Sequence, residues 1–223
     1  MKKGLFLSVL FFISFALYAG DVSNLVILGF SKDGSKFAFG VYGIKDQTYQ
    51  AYAEIYLVDA ATNDFLEHGV FRTSPTRATY AQDSKSVFLA LQNRAAPYLK
   101  KYGISDSLQG RPLYSQREQD IEKSTLIFRD FETNSEYTVF LHSNTNNLMQ
   151  SSFYITCDVL NASGVKYHYK LGHPEIMRAG IKSYAIKKVI IDPSSSTLVF
   201  IIEKKAHESS GDSIRYMAEV IKF

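Results

Sequence analysis

The chain has only one cysteine, Cys157, so no disulfide can form within it, and its stability has to come from buried surface rather than covalent staples. It also lacks the short motifs that announce common chemistry. There is no G-x-S-x-G elbow, no H-E-x-x-H, no glycine-rich phosphate loop and no C-x-x-C. SKDGS (31–35) does not follow the ligand order of a calcium loop, and His168 and His173 are spaced for neither a helical nor a strand metal pair. No cofactor and no metal is therefore expected, and enzyme chemistry is disfavoured. Charge of one sign is lacking too, with 25 Lys and Arg against 22 Asp and Glu. That balance gives no electrostatic reason to expect a nucleic acid partner.

Long apolar runs are missing everywhere except at the start. Lys2 and Lys3 precede an apolar and small-residue run from Gly4 to Ala19, which reads as a secretory signal peptide over residues 1–19, cleaved after Ala19. The run is shorter than the roughly 20 residues a membrane span prefers. No cysteine follows it that would take a lipid. The expectation is a secreted or periplasmic protein that does not span the membrane after cleavage, with residues 20–223 as a single mostly-β domain. Cleavage removes two lysines and no acid, so the formal charge falls from +3 to +1.

Repeats are the strongest positive signal. LGFSKDGSKFAFG (28–40) and VIIDPSSSTLVF (189–200) are both read as strand, tight turn and strand, with Ser195 in the place of Gly34. EIYLVDAATNDF (54–65) and LIFRDFETNSEY (126–137) each carry an apolar strand followed by D-x-x-T-N and an aromatic. Asp59, Thr62 and Asn63 in one, and Asp130, Thr133 and Asn134 in the other, supply oxygens that can cap a reverse turn. YAEIY (52–56) is echoed by MAEVI (217–221). A strand, S-x-D-G, a strand, a loop and a D-x-x-T-N turn resemble a blade of a β-propeller of the WD40 kind, recurring every 40–45 residues. The expected fold class is mainly β with antiparallel, propeller-like sheets, the alternative being a β-sandwich. Cys157 shares a strand face with Phe153, Ile155 and Val159 and is expected to act as a small buried apolar residue. One amphipathic helix interrupts the strands near 83–103, with Asp83 or Ser84 as N-cap, Pro97 as a point of bending and Gly103 as its end. Residues 104–123 lack periodicity and are expected to be a surface loop.

In combination, LGFSKDGSKFAFGVYGIKD with YAEIYLVD (28–59), RAAPYLKKYGI (94–104), RAGIKSYAIKKV (178–189), LVFIIEKK and IRYMAEVIKF resemble a family of predicted secreted bacterial proteins of unknown function. The resemblance implies export and a single domain. It brings no activity, cofactor or site residue.

Two groups of residues are candidates for binding. Tyr42, Tyr49 and Tyr52, with Tyr56 nearby, cluster in VYGIKDQTYQAYAEIY and either pack as strand residues or form a stacking surface for a glycan or a peptide near the 43–50 loop. Glu54 and Glu219 occupy equivalent places in the YAEIY and MAEVI echoes. An inward-facing carboxylate there needs a partner such as Arg178 or Arg215. The leading expectation is a non-enzymatic cell-envelope module that binds an envelope protein or glycan. The alternative is an envelope-glycan hydrolase with paired carboxylates, which requires two carboxyl groups about 5–9.5 Å apart across one cleft. A third reading is an assembly subunit that adds a strand to a partner.

Overall fold

The computed structural model describes residues 21–46, 48–117, 123–146, 150–208 and 211–223. The expected signal peptide and part of the expected 104–123 loop lie outside these residues. Fourteen strands and one long helix are present among them. The first sheet contains β1 (Asn24–Ser31), β2 (Lys36–Lys45), β3 (Gln50–Asp59) and β4 (Asp64–Arg72) as a meander, with the short β5 (Ile104–Ser105) against β1. The middle sheet has the order β14-β13-β12-β6, formed from β6 (Arg111–Ser115), β12 (Ile181–Ile191), β13 (Thr197–Glu208) and β14 (Gly211–Lys222). The third contains β7 (Thr125–Asp130), β8 (Ser135–Thr145), β9 (Gln150–Leu160) and β10 (Lys166–Gly172), with β11 (Arg178–Ala179) pairing β9. All pairings within the sheets are antiparallel.

The sheets stack, and the core lies between them. Phe30, Phe37, Phe39, Tyr56 and Val58 of the first sheet pack against Ile190, Val199, Ile201 and Val220 of the middle one. The opposite face of the middle sheet, with Val189, Leu198, Phe200, Ile202 and Ile221, packs against Tyr137, Val139, Phe153, Ile155 and Cys157 of the third. The helix α1 (Ser84–Lys101) covers the outer face of the first sheet through Val87, Phe88, Leu91 and Ala95. The layers therefore run helix, sheet, sheet, sheet. No closed barrel or propeller forms among the described residues. The propeller expectation took the repeated turns as repeated blades. The core clusters instead show face-to-face packing of the kind that builds sandwiches.

Local expectations hold more closely. Asp83 caps α1, accepting from the Lys85 and Ser86 amides, and the helix stops before Gly103, whose φ of +65° is unfavourable for other residues. The 104–123 segment is not all loop, because β5 and β6 fall within it. Pro112 is compatible with β6 since that strand is an edge of the middle sheet.

The two similar hairpins are partners in space. In the first turn, Asp33 Oδ1 accepts from Ser31 Oγ, the Ser35 amide and Ser35 Oγ at 2.7–3.0 Å. In the second, Asp192 accepts from the Ser194, Ser196 and Thr197 amides at 2.6–2.9 Å. Ser195 has a φ of +56°, matching Gly34 at +68°. The turns then touch. Thr197 Oγ1 donates to the Gly34 carbonyl at 2.8 Å, and Lys222 Nζ reaches the Asp33 carbonyl at 3.1 Å.

The D-x-x-T-N turns have a similar role at the two edges of the middle sheet. Asn63 and Asn134 hold φ values of 57° and 56°, and Asp59 and Asp130 each accept an amide two residues on. Asn63 Oδ1 takes the Val220 amide of edge strand β14 at 2.7 Å. At the other edge, the fully buried Asp130 binds Arg111 of β6 through two hydrogen bonds of 2.7 and 3.0 Å. Burial would raise the Asp130 pKa, but Arg111, Thr133 and the Glu132 amide hold it down at about 2.

Gly34 offers a direct test of the interlocked turns. A Cβ there would lie 2.5 Å from Asp192 Oδ2 and 2.9 Å from Ser196 Oγ, in a backbone conformation that disfavours side chains. Gly34→Ala is expected to cost about 1–3 kcal/mol in urea unfolding, while Ser195→Gly leaves stability within about 0.5 kcal/mol or raises it. Equal and small effects at both positions would contradict this packing.

Candidate functional site

The tyrosines of 42–52 do not share one surface. Along β2 the side chains alternate, so Val41 faces the middle sheet while Tyr42 packs against Phe88 of α1, with ring centroids 5.1 Å apart. Tyr49 lies in the β2–β3 turn, exposed, with its carbonyl accepting from the Ala81 amide. Tyr52 is buried; its hydroxyl meets Ser23 Oγ at 2.7 Å and Asp21 Oδ1 at 3.1 Å, and burial pushes its pKa well up. Arg215 stacks on the Tyr52 ring at 4.6 Å and binds Asp21 at 2.5 Å, while the 21–23 segment bonds along β14 at Ile214. Tyr52 is thus part of the anchor that ties residues 21–23 to the edge of the middle sheet.

The two glutamates have different surroundings. Glu54 is half-buried and lies across from Arg72 on the next strand, with an N–O distance of 3.3 Å, while the Tyr56 hydroxyl donates to it at 2.5 Å. It lines a cavity of about 310 Å³ with Tyr52, Thr73, Glu208 and Arg215. Glu219 is buried on β14, where its Oε2 accepts from Asn63 Nδ2 at 2.5 Å. Burial raises its pKa above the usual carboxylate value, although the Asn63 hydrogen bond, the charges of His173 and Arg178 and the Gly172 amide oppose that shift. Of the expected partners, Arg178 acts on Glu219 by charge alone, and Arg215 is committed to Asp21. The paired carboxylates of the hydrolase expectation therefore belong to separate environments. Cys157 is buried in the core with its thiol pushed up to about 12, a packing residue as expected.

A different region gathers aromatic and polar side chains around open space. On β10, Tyr167 and Tyr169 point to one side of the strand, two residues apart. With Tyr137, Phe223, Thr133, Ser135, Asn161 and Ser195 they line a cavity of about 290 Å³. Tyr169 meets Phe223 edge-on at 5.7 Å. It also lines a second cavity of about 330 Å³, bounded by the β3–β4 turn (60–63), by 170–173 and by 220–222. The two cavities adjoin along β10, where the edge of the third sheet meets the edge strand β14 of the middle sheet. Glu219 lies beside the second cavity, through Asn63 and Gly172.

The first cavity has unused polar atoms. Among the described residues, the Tyr167 and Tyr169 hydroxyls, Ser195 Oγ and Asn161 Nδ2 make no hydrogen bond, whereas Asn161 Oδ1 is taken by the Ser163 and Val165 amides. Tyr167 and Phe223 are 46% and 44% exposed, which leaves ring surface open to a ligand. The alternation of YHY in KYHYKLG puts two of these tyrosines on one face, and that much is readable from the sequence. Tyr137 and Phe223 are brought in from distant strands, so no local pattern marks the site.

A family model described as "Predicted secreted protein (DUF2259)" matches residues 38–222. The chain belongs to that family. No curated protein and no solved structure matches it. The family description agrees with the secreted location expected from the N-terminal segment, and among the described residues no helix is long and apolar enough to cross a membrane.

The buried Glu219 has a consequence for stability. Its folded pKa lies above the unfolded value of about 4.5, so its contribution is fully present below that pH and is lost as pH rises through the folded value. Glu219→Gln is expected to remove this part of the pH dependence in urea unfolding between pH 4.5 and 8. The same slope in wild type and variant would show that Glu219 ionises without penalty.

Proposed function

We propose that this secreted protein is a non-enzymatic binding module of the cell envelope, and that it takes its ligand in the aromatic cavity beside β10. The observation that carries the reading is the combination of open ring surface at Tyr167 and Phe223 with hydroxyl and amide groups that have no partner. Ligand sites are typically concave and mostly apolar, with a few polar groups that fix orientation. Tyrosine suits such a site because its ring is apolar and its tip polar. Nothing in the cavity activates a nucleophile, since its polar lining is hydroxyls and one amide.

Strand addition by a partner is disfavoured at β14. Asn63 occupies that edge at Val220, and the 21–23 segment occupies it at Ile214. An added strand would have to displace both.

The test is sedimentation of the exported protein with purified cell-wall glycan, together with crosslinking in its native envelope. Tyr167→Ala removes an exposed ring and should leave the thermal midpoint within a few degrees of wild type. It is expected to weaken retention at least fivefold, about 1 kcal/mol. Binding unaffected by the substitution would move the site away from β10, and release of soluble sugar from the glycan would favour the hydrolase.

A further inference from the structure

We infer that β10 is a docking edge, and that an extended segment of a partner protein pairs with it as a further strand of the third sheet, setting apolar side chains against Tyr167 and Tyr169. This deepens the binding reading above and rests on it, since the cavity supplies the contacts for those side chains. β10 pairs only with β9 and so forms one edge of the third sheet. The register between them is unbroken, from Lys166 opposite Leu160 to Gly172 opposite Tyr154. At the head of this hairpin the Asn161 amide donates to the Val165 carbonyl at 3.0 Å, which fixes the phase of the ladder. Hydrogen-bonded and non-hydrogen-bonded pairs alternate along antiparallel strands. Tyr167, Tyr169 and Leu171 therefore bond to β9, while Lys166, His168 and Lys170 turn their amides and carbonyls to the open side. Among the described residues those outward groups bond to no other segment. Gly172 is the next in this series, and its amide faces Glu219, which ends the open stretch.

Charged side chains commonly guard such an edge. On β10 they are drawn off it. Lys166 Nζ and His168 Nδ1 reach back to Asp158 of β9 at 2.9 and 2.6 Å, and Lys170 Nζ lies over the Tyr154 ring of β9 at 4.7 Å. The outward backbone groups recur at every second residue, about 7 Å apart at ~3.3 Å per residue. A second strand presents donors and acceptors at the same repeat, and the hydroxyls of a sugar chain do not. The inner face of β10 supplies the apolar part of the site. Tyr167 and Tyr169 line the cavity of about 290 Å³, so alternate side chains of an added strand fall beside it. A second copy of the chain is a poor occupant. Only Lys166, His168 and Lys170 have backbone groups free to exchange, and they share one face, so antiparallel pairing of β10 with itself sets basic residues opposite one another.

The experiment is selection of random displayed peptides, about nine residues long, on the exported protein. Enriched sequences are expected to carry bulky apolar residues at alternate positions. His168→Pro removes one outward amide and leaves the ladder to β9 intact. It should weaken a selected peptide about tenfold, with the thermal midpoint within a few degrees of wild type. His168→Ala keeps that amide, loses the Asp158 contact and should bind as wild type does. N-methylation of the peptide asks the same question without altering the protein. Methyl groups on one alternate set of amides should abolish binding, and those on the other set should be tolerated. Tyr167→Ala should weaken binding about fivefold. Peptides that tolerate His168→Pro and methylation of either set would overturn strand addition, while their sensitivity to Tyr167→Ala would leave the cavity reading standing. No enrichment of any peptide would overturn the protein partner, and retention on cell-wall glycan would then keep the cavity as a sugar site. A dimer of the exported protein that His168→Pro dissociates would overturn the partner in favour of a second copy. Binding indifferent to Tyr167→Ala and His168→Pro alike would remove the site from β10, and both readings would fail.

Discussion

Five consecutive residues of β13, Leu198 to Ile202, have no solvent-facing side. Leu198, Phe200 and Ile202 point into the core shared with the third sheet, while Val199 and Ile201 point into the core shared with the first. All five are 0% exposed. A strand in this position needs a sheet on each face, and an antiparallel strand alternating apolar and polar residues could not occupy it. The helix and the paired turns follow from that requirement. With no disulfide available, the two interfaces of the middle sheet supply the bulk of the burial that resists the entropy of unfolding.

A stack of sheets leaves edges, and the repeated turns deal with the edges of the middle one. The turn at 59–63 caps β14 and the turn at 130–134 holds β6 through Arg111, so the same D-x-x-T-N geometry closes the middle sheet on both sides. The similar S-x-D-G and D-P-S-S-S turns meet between the first and middle sheets for the same reason. Where β10 passes the end of β14, the closure leaves open space. The cavity lined by tyrosines lies there, so the internal symmetry of the sequence serves the scaffold, and the proposed binding surface arises where that symmetry ends.

Much of the local structure was legible in the sequence because local rules govern it. Asp83 and Gly103 bracket the helix, Ser195 adopts the conformation its alignment with Gly34 demands, and Cys157 is core. The arrangement of the sheets was not legible from the turns, since a turn specifies which strands pair and leaves open how one sheet faces the next. The run LVFII does carry that information, because unbroken apolarity over five strand residues means burial on both faces. The expected loop at 104–123 concealed β5 and β6, two short edge segments whose pairing partners are β1 and β12, far away in the chain. At the candidate site, sequence proximity was misleading. Tyr42 and Tyr52 are ten residues apart yet face opposite layers, whereas Tyr137, Tyr167 and Phe223 line one cavity from three distant segments.

Hydrogen exchange of backbone amides, followed by mass spectrometry, tests the central claim most directly. If β13 is enclosed on both faces and paired along both edges, its amides at 198–202 exchange only through global unfolding, more slowly than those of β4, β7 and β10. Exchange of 198–202 as fast as these outer strands would mean that the middle sheet is not the enclosed layer, and the account of both the scaffold and the cavity beside it would fail.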